Sequence, residues 1–443
     1  MKSSVDSWGR YPRLVPKSVL HPSRVDDIRI DAGTNHTLAY GKGRSYGDVC
    51  LNEGGTIIRM DSCANVIHFD THEGWIRAES GITLAAILRT IIPQGWFLPV
   101  TPGTKFVTLG GALANDVHGK NHHGAGTIGN FIRAFGLLRS DGSHVVCSAA
   151  ENINLYRATI GGMGLTGIVT WVELALTPIV CDTVEAETVK VGSLSEALDV
   201  GVESDSQWEY TVTWVDVTAP QKSLGRGIVS RGRFSGTPGL PPSIEDSKPL
   251  LNVPFEAPNW LLSKPTISLF NRLWYAKQMR KLNSGAMTVD AFFYPLDGVG
   301  NWNLLYGSRG MLQYQCVVPH DGGIDVLSKI IAILQKADVA SFLAVVKTFG
   351  DKPSPGIMSF PRKGITLSLD MPNTGKRLFD ALDRCDELVY ANGGRVYAAK
   401  DARVRGEMFR LMYPEIEEFQ QHIDPAFSSS FWRRVMKYHK EKL

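Results

Sequence analysis

Three strings in the sequence hold residues whose types and spacing do chemistry in other settings. Gly43-Arg44-Ser45-Tyr46-Gly47 has the G-x-S-x-G spacing that lifts a nucleophilic serine onto a strand-to-helix elbow. Here DVCLNEGG follows, which reads as a loop, so serine-hydrolase chemistry is set aside. Gly162-Met163-Gly164-Leu165-Thr166-Gly167 has the G-x-G-x-x-G spacing of a dinucleotide turn, which must follow a strand and open a helix. It opens the strand IVTWVELAL instead, so a Rossmann site does not fit. His118 and His122, with His123 beside them, have the i, i+4 spacing of some zinc pairs. Gly119, Gly124 and Gly126 oppose a helix there, and Asp116 is the one nearby acid. No metal is expected; these histidines brace loops or, the preferred reading, line a pocket.

The unusual number in the composition is glycine, with 44 residues. GKGRSYGD and TPGTKFVTLGGALANDVHGKNHHGAG offer many backbone N–H groups in loops. Consecutive amides in such turns form concave anion sites. Two of them about 60 residues apart could hold a pyrophosphate and the polar edge of a ring system.

The rest of the chain must position these loops. At 443 residues the length suggests about two or three domains. The net charge of +3 is too mild for a nucleic-acid footprint, and no nucleic-acid partner is expected. Six scattered cysteines without C-x-x-C fit a reducing compartment, so a cytoplasmic site is expected. MKSSVDSWGRYPRLVP lacks an apolar signal core, and no run of 18 apolar residues spans a membrane. Residues 18–40 read as a short helix and a strand. A helix starts after Gly81 and breaks at Pro93, with Leu84, Ile87, Leu88 and Ile91 on one face. Asp141-Gly142 reads as a two-residue hairpin turn. Strands such as QWEYTVTWVDV, MLQYQCVV and GITLSLDM dominate 181–394, with a Pro/Gly/Ser-rich loop at 234–256.

GRSYGD, LPVTPGTKFVTLGGALANDVHGKNHH and GGMGLTG together resemble the FAD domain of the vanillyl-alcohol oxidase superfamily. SWGRYP, FYPLD, LQYQ, VVKTFG and GGRVYAAKDAR extend the resemblance over almost the whole chain. Within the superfamily it is similar to the flavin subunits of decaprenylphosphoryl-β-D-ribose 2'-epimerases. The resemblance implies an α+β fold: a PCMH-type FAD-binding domain at 1–180, an antiparallel-sheet substrate domain at 181–394, and a segment at 395–443 returning to the first domain. It implies FAD held by Tyr40, Gly41, Lys42, Gly43, Arg44, Ser45, Tyr46, Gly47, Asp48 and Val49. Gly103, Thr108, Leu109, Gly110, Gly111, Asn115, Asp116, Val117 and His118 join them, with Ile168 and Tyr397. The first glycine loop has no histidine for a flavin bond, so the FAD is expected to be non-covalent.

The pocket implied above the ring is lined by Tyr46, His118, Lys120, Trp214, Tyr294, Gln313, Gln315, Lys347, Ser368 and Lys400. Some family members carry cysteine where this chain has Ser368. The implied reaction oxidises the 2-hydroxyl of a polyprenyl-phospho-β-D-ribose to the ketone. Lys400 is the first choice of proton acceptor, since burial lowers a lysine's pKa, with Tyr46 and His118 behind it. Lys120 and Lys347 suit the phosphate and ribose oxygens. A partner short-chain reductase would complete the epimerisation to the arabinose form. Residues 258–282 interleave Trp260, Leu261, Leu262, Ile267, Leu269, Phe270, Leu273 and Trp274 with Lys264, Arg272, Lys277, Arg280 and Lys281. That suits either peripheral contact with the inner face of the plasma membrane or a packed helix with a solvated basic face. An FAD enzyme of a soluble sugar, alditol or aldonolactone is the alternative, and a non-catalytic flavoprotein scaffold a third reading.

Overall fold

The computed structural model describes residues 5–30, 36–236 and 249–437. Of the expected loop at 234–256, residues 237–248 lie outside the described residues. Leu251–Asn252, behind them, pairs in parallel with Val299–Gly300.

The N-terminal part is α+β, as expected. Thr56–Arg59 lies between Ser18–Leu20 and Thr37–Tyr40 in a parallel three-stranded sheet. The first of these strands replaces the short helix expected there; one 3₁₀ turn, Val25–Asp27, follows it. A five-stranded antiparallel sheet runs Val66–Asp70, Trp75–Glu79, Ile168–Ala175, Ile132–Leu138, His144–Ser148. Helix Leu84–Ile91 packs on it with Leu84, Ile87, Leu88 and Ile91 buried, as their spacing predicts. Thr83 caps it, its Oγ1 accepting from Ala86 N at 3.2 Å. The hairpin turn differs from expectation: Arg139 N bonds Ser143 O at 2.9 Å, so three residues close it, with Gly142 left-handed at φ +83.

An eight-stranded antiparallel sheet dominates the second half, in the order Leu282–Thr288, Thr183–Val191, Gly227–Phe234, Tyr210–Val215, Leu343–Phe349, Gly364–Pro372, Met311–Val318, Arg395–Val396. Alternate side chains on a strand face opposite ways. Leu312, Tyr314, Cys316, Ile365, Leu367 and Leu369 therefore enter one core with helices Gly323–Lys336 and Lys376–Ala391. The residues between them, Gln313, Gln315, Thr366 and Ser368, face a cavity.

The expected boundary at 394/395 falls beside a strand that still belongs to this sheet, Arg395–Val396. From 397 onward the chain returns to the first glycine loop. Tyr46 N donates to Ala399 O at 3.0 Å, and Phe427 bridges Thr37. Arg434 closes the arrangement by grasping Asp48 and Asp401 at 2.8 Å each. Among the described residues no helix is long and apolar enough to cross a membrane.

Candidate active site

A cavity of about 1290 Å³ opens between the glycine loops and the uncovered face of the large sheet. Tyr40, Gly41, Lys42, Gly43, Arg44, Ser45, Tyr46 and Val49 form one wall. Gly103, Thr108, Gly110, Gly111, Asn115, Val117, His118 and Tyr397 continue it. Six expected residues lie behind the wall instead. Leu109 and Ile168 are core side chains. Gly47 is glycine because a Cβ would stand 1.8 Å from Asp401 O. Asp48 is committed to Arg434. Asp116 is a buried hub that accepts from Gly129 N at 3.0 Å and from the Ser354 and Ser359 hydroxyls. Tyr294 is buried, with its hydroxyl 2.7 Å from Thr101 Oγ1.

Two features of the first wall fit a flavin nucleotide. A Cβ at Gly103 would meet nothing within 4 Å, so the empty Cα face there serves the cavity and not the protein's own packing. Asn115 Oδ1 and Arg44 Nε are buried without a hydrogen-bond partner. Buried polar atoms are normally paired, so these two suit a polar group seated beside them. Thr108 caps helix Leu109–Ala114 by accepting from Gly111 N at 3.2 Å, which fixes the second loop. The Tyr397 hydroxyl donates to Asn115 O at 2.6 Å and ties that loop to the C-terminal segment.

The opposite wall carries Lys120, Trp214, Gln313, Gln315, Lys347, Ser368 and Lys400. Strand register sets the neighbours: Ser368 lies opposite Gln315 on one side and Val345 on the other, and Lys347 opposite Thr366. Burial lowers the pKa of Lys120 to about 7. It does the same for Lys347, also to about 7, helped by the charges of Lys120 and Lys400. Lys400 falls to about 8, burial being partly opposed by the charge of Asp370. The Lys120 ammonium donates to Phe292 O. Lys347 donates to Gly119 O at 3.2 Å and stands 3.1 Å from His118 Nδ1. Gln315 Nε2 lies 3.0 Å from His118 Nε2, so both ring nitrogens are engaged. Burial, then Lys347, hold His118 neutral, well below its ordinary pKa. His122 packs 4.2 Å from Phe349, and His123 Nδ1 lies 3.3 Å from Asp205.

Helix Lys264–Lys277 sits at the mouth, where Phe270, Trp274 and Lys277 reach the cavity. It buries Ile267 and Asn271, the latter donating to Asp216 Oδ1 and Ser341 O at 3.0 Å. Its aromatic and aliphatic side chains face outward: Leu273 is 62 % exposed, Trp260 ahead of it 70 % and Met279 beyond it 90 %.

Some residues around the cavity escaped the sequence. Trp8 is one: its ring lies 4.0 Å from the guanidinium of the expected Arg44, a contact between distant strings. Thr366 and Asp370 share the strand face of Ser368 on GITLSLDM, Thr366 on the cavity wall and Asp370 buried behind it, and that period of two was the available signal.

Residues 31–148 match the FAD binding domain family. The chain is 35% identical over 447 aligned residues, covering 97% of it and 96% of the relative, to decaprenylphosphoryl-beta-D-ribose oxidase of Mycolicibacterium smegmatis. The chain belongs to the decaprenylphosphoryl-ribose oxidase family. This family membership makes it an FAD-dependent oxidoreductase with a PCMH-type fold. A Streptomyces coelicolor protein from the mprA 5' region is 33% identical over 80% of this chain and 100% of its own length. Bovine L-gulonolactone oxidase is 25% identical over 44% of each chain. The matched span, residues 31–148, carries both glycine loops of the first wall, and the lysine-bearing wall faces them.

Proposed function

We propose that this oxidoreductase takes polyprenyl-phospho-β-D-ribose and oxidises its 2-hydroxyl to the ketone, the first half of an epimerisation. The observation that carries the reading is the lysine triad, Lys120, Lys347 and Lys400, on a cavity whose mouth is an outward-facing apolar helix. A phosphorylated sugar on a lipid needs both cations and an apolar approach. The likeness to the mycobacterial oxidase supports the same substrate.

FAD, when bound, supplies the acceptor for the hydride that leaves the sugar carbon. The chain's own residues handle the proton. Tyr46 is held well above its ordinary pKa by burial and stays a phenol. Both nitrogens of His118 are occupied. Lys347 and Lys120 spend their protons on carbonyls. The Lys400 Nζ has no hydrogen-bond partner among the described residues and rests 4.2 Å from the Tyr46 ring centre. Its neutral amine accepts the hydroxyl proton, while Lys120 and Lys347 orient phosphate and ribose oxygens.

The exposed side chains of 258–282, with the cations Arg272, Lys277 and Arg280, support peripheral binding to the anionic inner face of the plasma membrane. The keto sugar then passes to a partner short-chain reductase. Anaerobic mixing of the flavoprotein with lipid-linked ribose tests the reading: the visible flavin absorbance should bleach. A soluble polyol or aldonolactone that bleaches it faster contradicts the substrate assignment.

A further inference from the structure

Behind the lysine wall, out of contact with the cavity, lies a carboxyl group that the proposed reaction leaves without a task. Asp370 is buried on the strand Gly364–Pro372, directly opposite Gln313. Its Oδ1 accepts from Gln313 Nε2, and its Oδ2 has no hydrogen-bond partner. Gln313 Oε1 and the Tyr306 hydroxyl are likewise buried and unpartnered. The Gln313 amide also serves the Tyr46 hydroxyl, and the Lys400 ammonium lies over the Tyr46 ring. A line of contact therefore runs Lys400, Tyr46, Gln313, Asp370.

We propose that Asp370 is the buried counter-ion of Lys400, a positioning residue that stabilises the ammonium formed when the lysine takes a proton. The inference rests on the reading of Lys400 as proton acceptor. In the step, the O–H bond of the substrate hydroxyl breaks and an N–H bond forms on Lys400. The new ammonium sits in a site already crowded with cations, where Lys347 and its own charge repel each other. An uncompensated charge in such a site is costly. Asp370 is the carboxylate whose charge favours that ammonium.

The charges around the pair come from several elements. Lys347 lies on the neighbouring strand, and His118, held neutral, comes from the second glycine loop. Tyr46 belongs to the first loop, with Arg44 acting on it. Tyr306 ends the turn Trp302–Tyr306 and feels Asp370. Burial raises the Asp370 carboxyl to about 7, even with the Gln313 hydrogen bond and the charge of Lys400 both drawing it down. Aspartate and lysine thus titrate as a unit, each fixing where the other changes charge.

Competitive labelling of the flavin-loaded protein with trace acetic anhydride reads the Lys400 proton without any sugar. The Lys400 peptide is quantified by mass spectrometry across the neutral and alkaline range. In Asp370→Asn the midpoint of Lys400 labelling should fall by about one unit or more. An unchanged midpoint in a variant with the wild-type flavin spectrum overturns the proposal. Should that variant fail to fold, Lys400→Met gives the reciprocal measurement, since its side chain lies on the cavity wall. The infrared band of the protonated Asp370 carboxyl should then persist to higher pH than in wild type; a band that does not move overturns the proposal. Either reading is independent of the substrate, so a failed sugar assignment and a failed counter-ion are told apart.

Discussion

The ammonium nitrogen of Lys400 stands 4.2 Å from the centre of the Tyr46 ring, so the C-terminal segment and the first glycine loop meet at the reacting face of the cavity. The aromatic face holds the side chain in place without a hydrogen bond, so that once the nitrogen is neutral its lone pair is free to accept a proton. Lys400→Met should slow flavin reduction by lipid-linked ribose about 10²-fold or more, with the bound-flavin spectrum unchanged. Single-turnover absorbance measurements check this.

The same lysine sets the pH dependence. Its folded-state pKa is lowered to about 8, burial being the cause. The amine accepts a proton only when neutral, so the rate of flavin reduction should climb as pH rises through about 8 and level above it. The rate measured against pH in wild type shows the limb, and Lys400→Met should lack it.

Gly103 separates cofactor binding from folding. An added side chain there meets no protein atom and enters the cavity. Gly103→Val should keep the melting temperature of the flavin-free protein and lose flavin content. Gly41→Ala differs, because its Cβ would stand 2.3 Å from Thr108 Oγ1 and break the cap of helix Leu109–Ala114. It should lose flavin and about 1 kcal/mol of stability together. Absorbance ratios and thermal melts distinguish the two.

Legibility in the sequence followed the range of the forces. The glycine loops were readable because close backbone approach needs glycine locally, as at Gly41 and Gly47. Helix Leu84–Ile91 was readable from its apolar period. Gln315, Lys347 and Lys400 came only with the family resemblance, since strand pairing across distant segments brings them to one wall. Asp48, Asp116 and Tyr294 sit in conspicuous strings yet serve the frame, because each found a buried partner elsewhere in the chain. Asp370 was visible as the third polar residue of an alternating strand, but only the register with Gln313 shows what it faces.

Arg434 offers a test of that frame. It pairs with two nearly buried carboxylates, Asp48 and Asp401, and so clamps helix Ser430–Met436 to the flavin loop. Removing one member of a buried ion cluster leaves uncompensated charge. Arg434→Met should cost about 3–5 kcal/mol in chemical denaturation and loosen flavin retention.

Helix Lys264–Lys277 turns apolar residues outward beside the exposed cations Arg272 and Lys277. Arg272→Glu with Lys277→Glu should weaken co-sedimentation with anionic vesicles, at about 1 kcal/mol for each cation lost and more with reversal. Neutral vesicles should bind little in either form.

The absorption spectrum of the purified protein reaches the centre of the account. It should show the visible bands of a flavin, and acid precipitation should release all of that colour into the supernatant. Protein that is colourless and takes up no added FAD would contradict it.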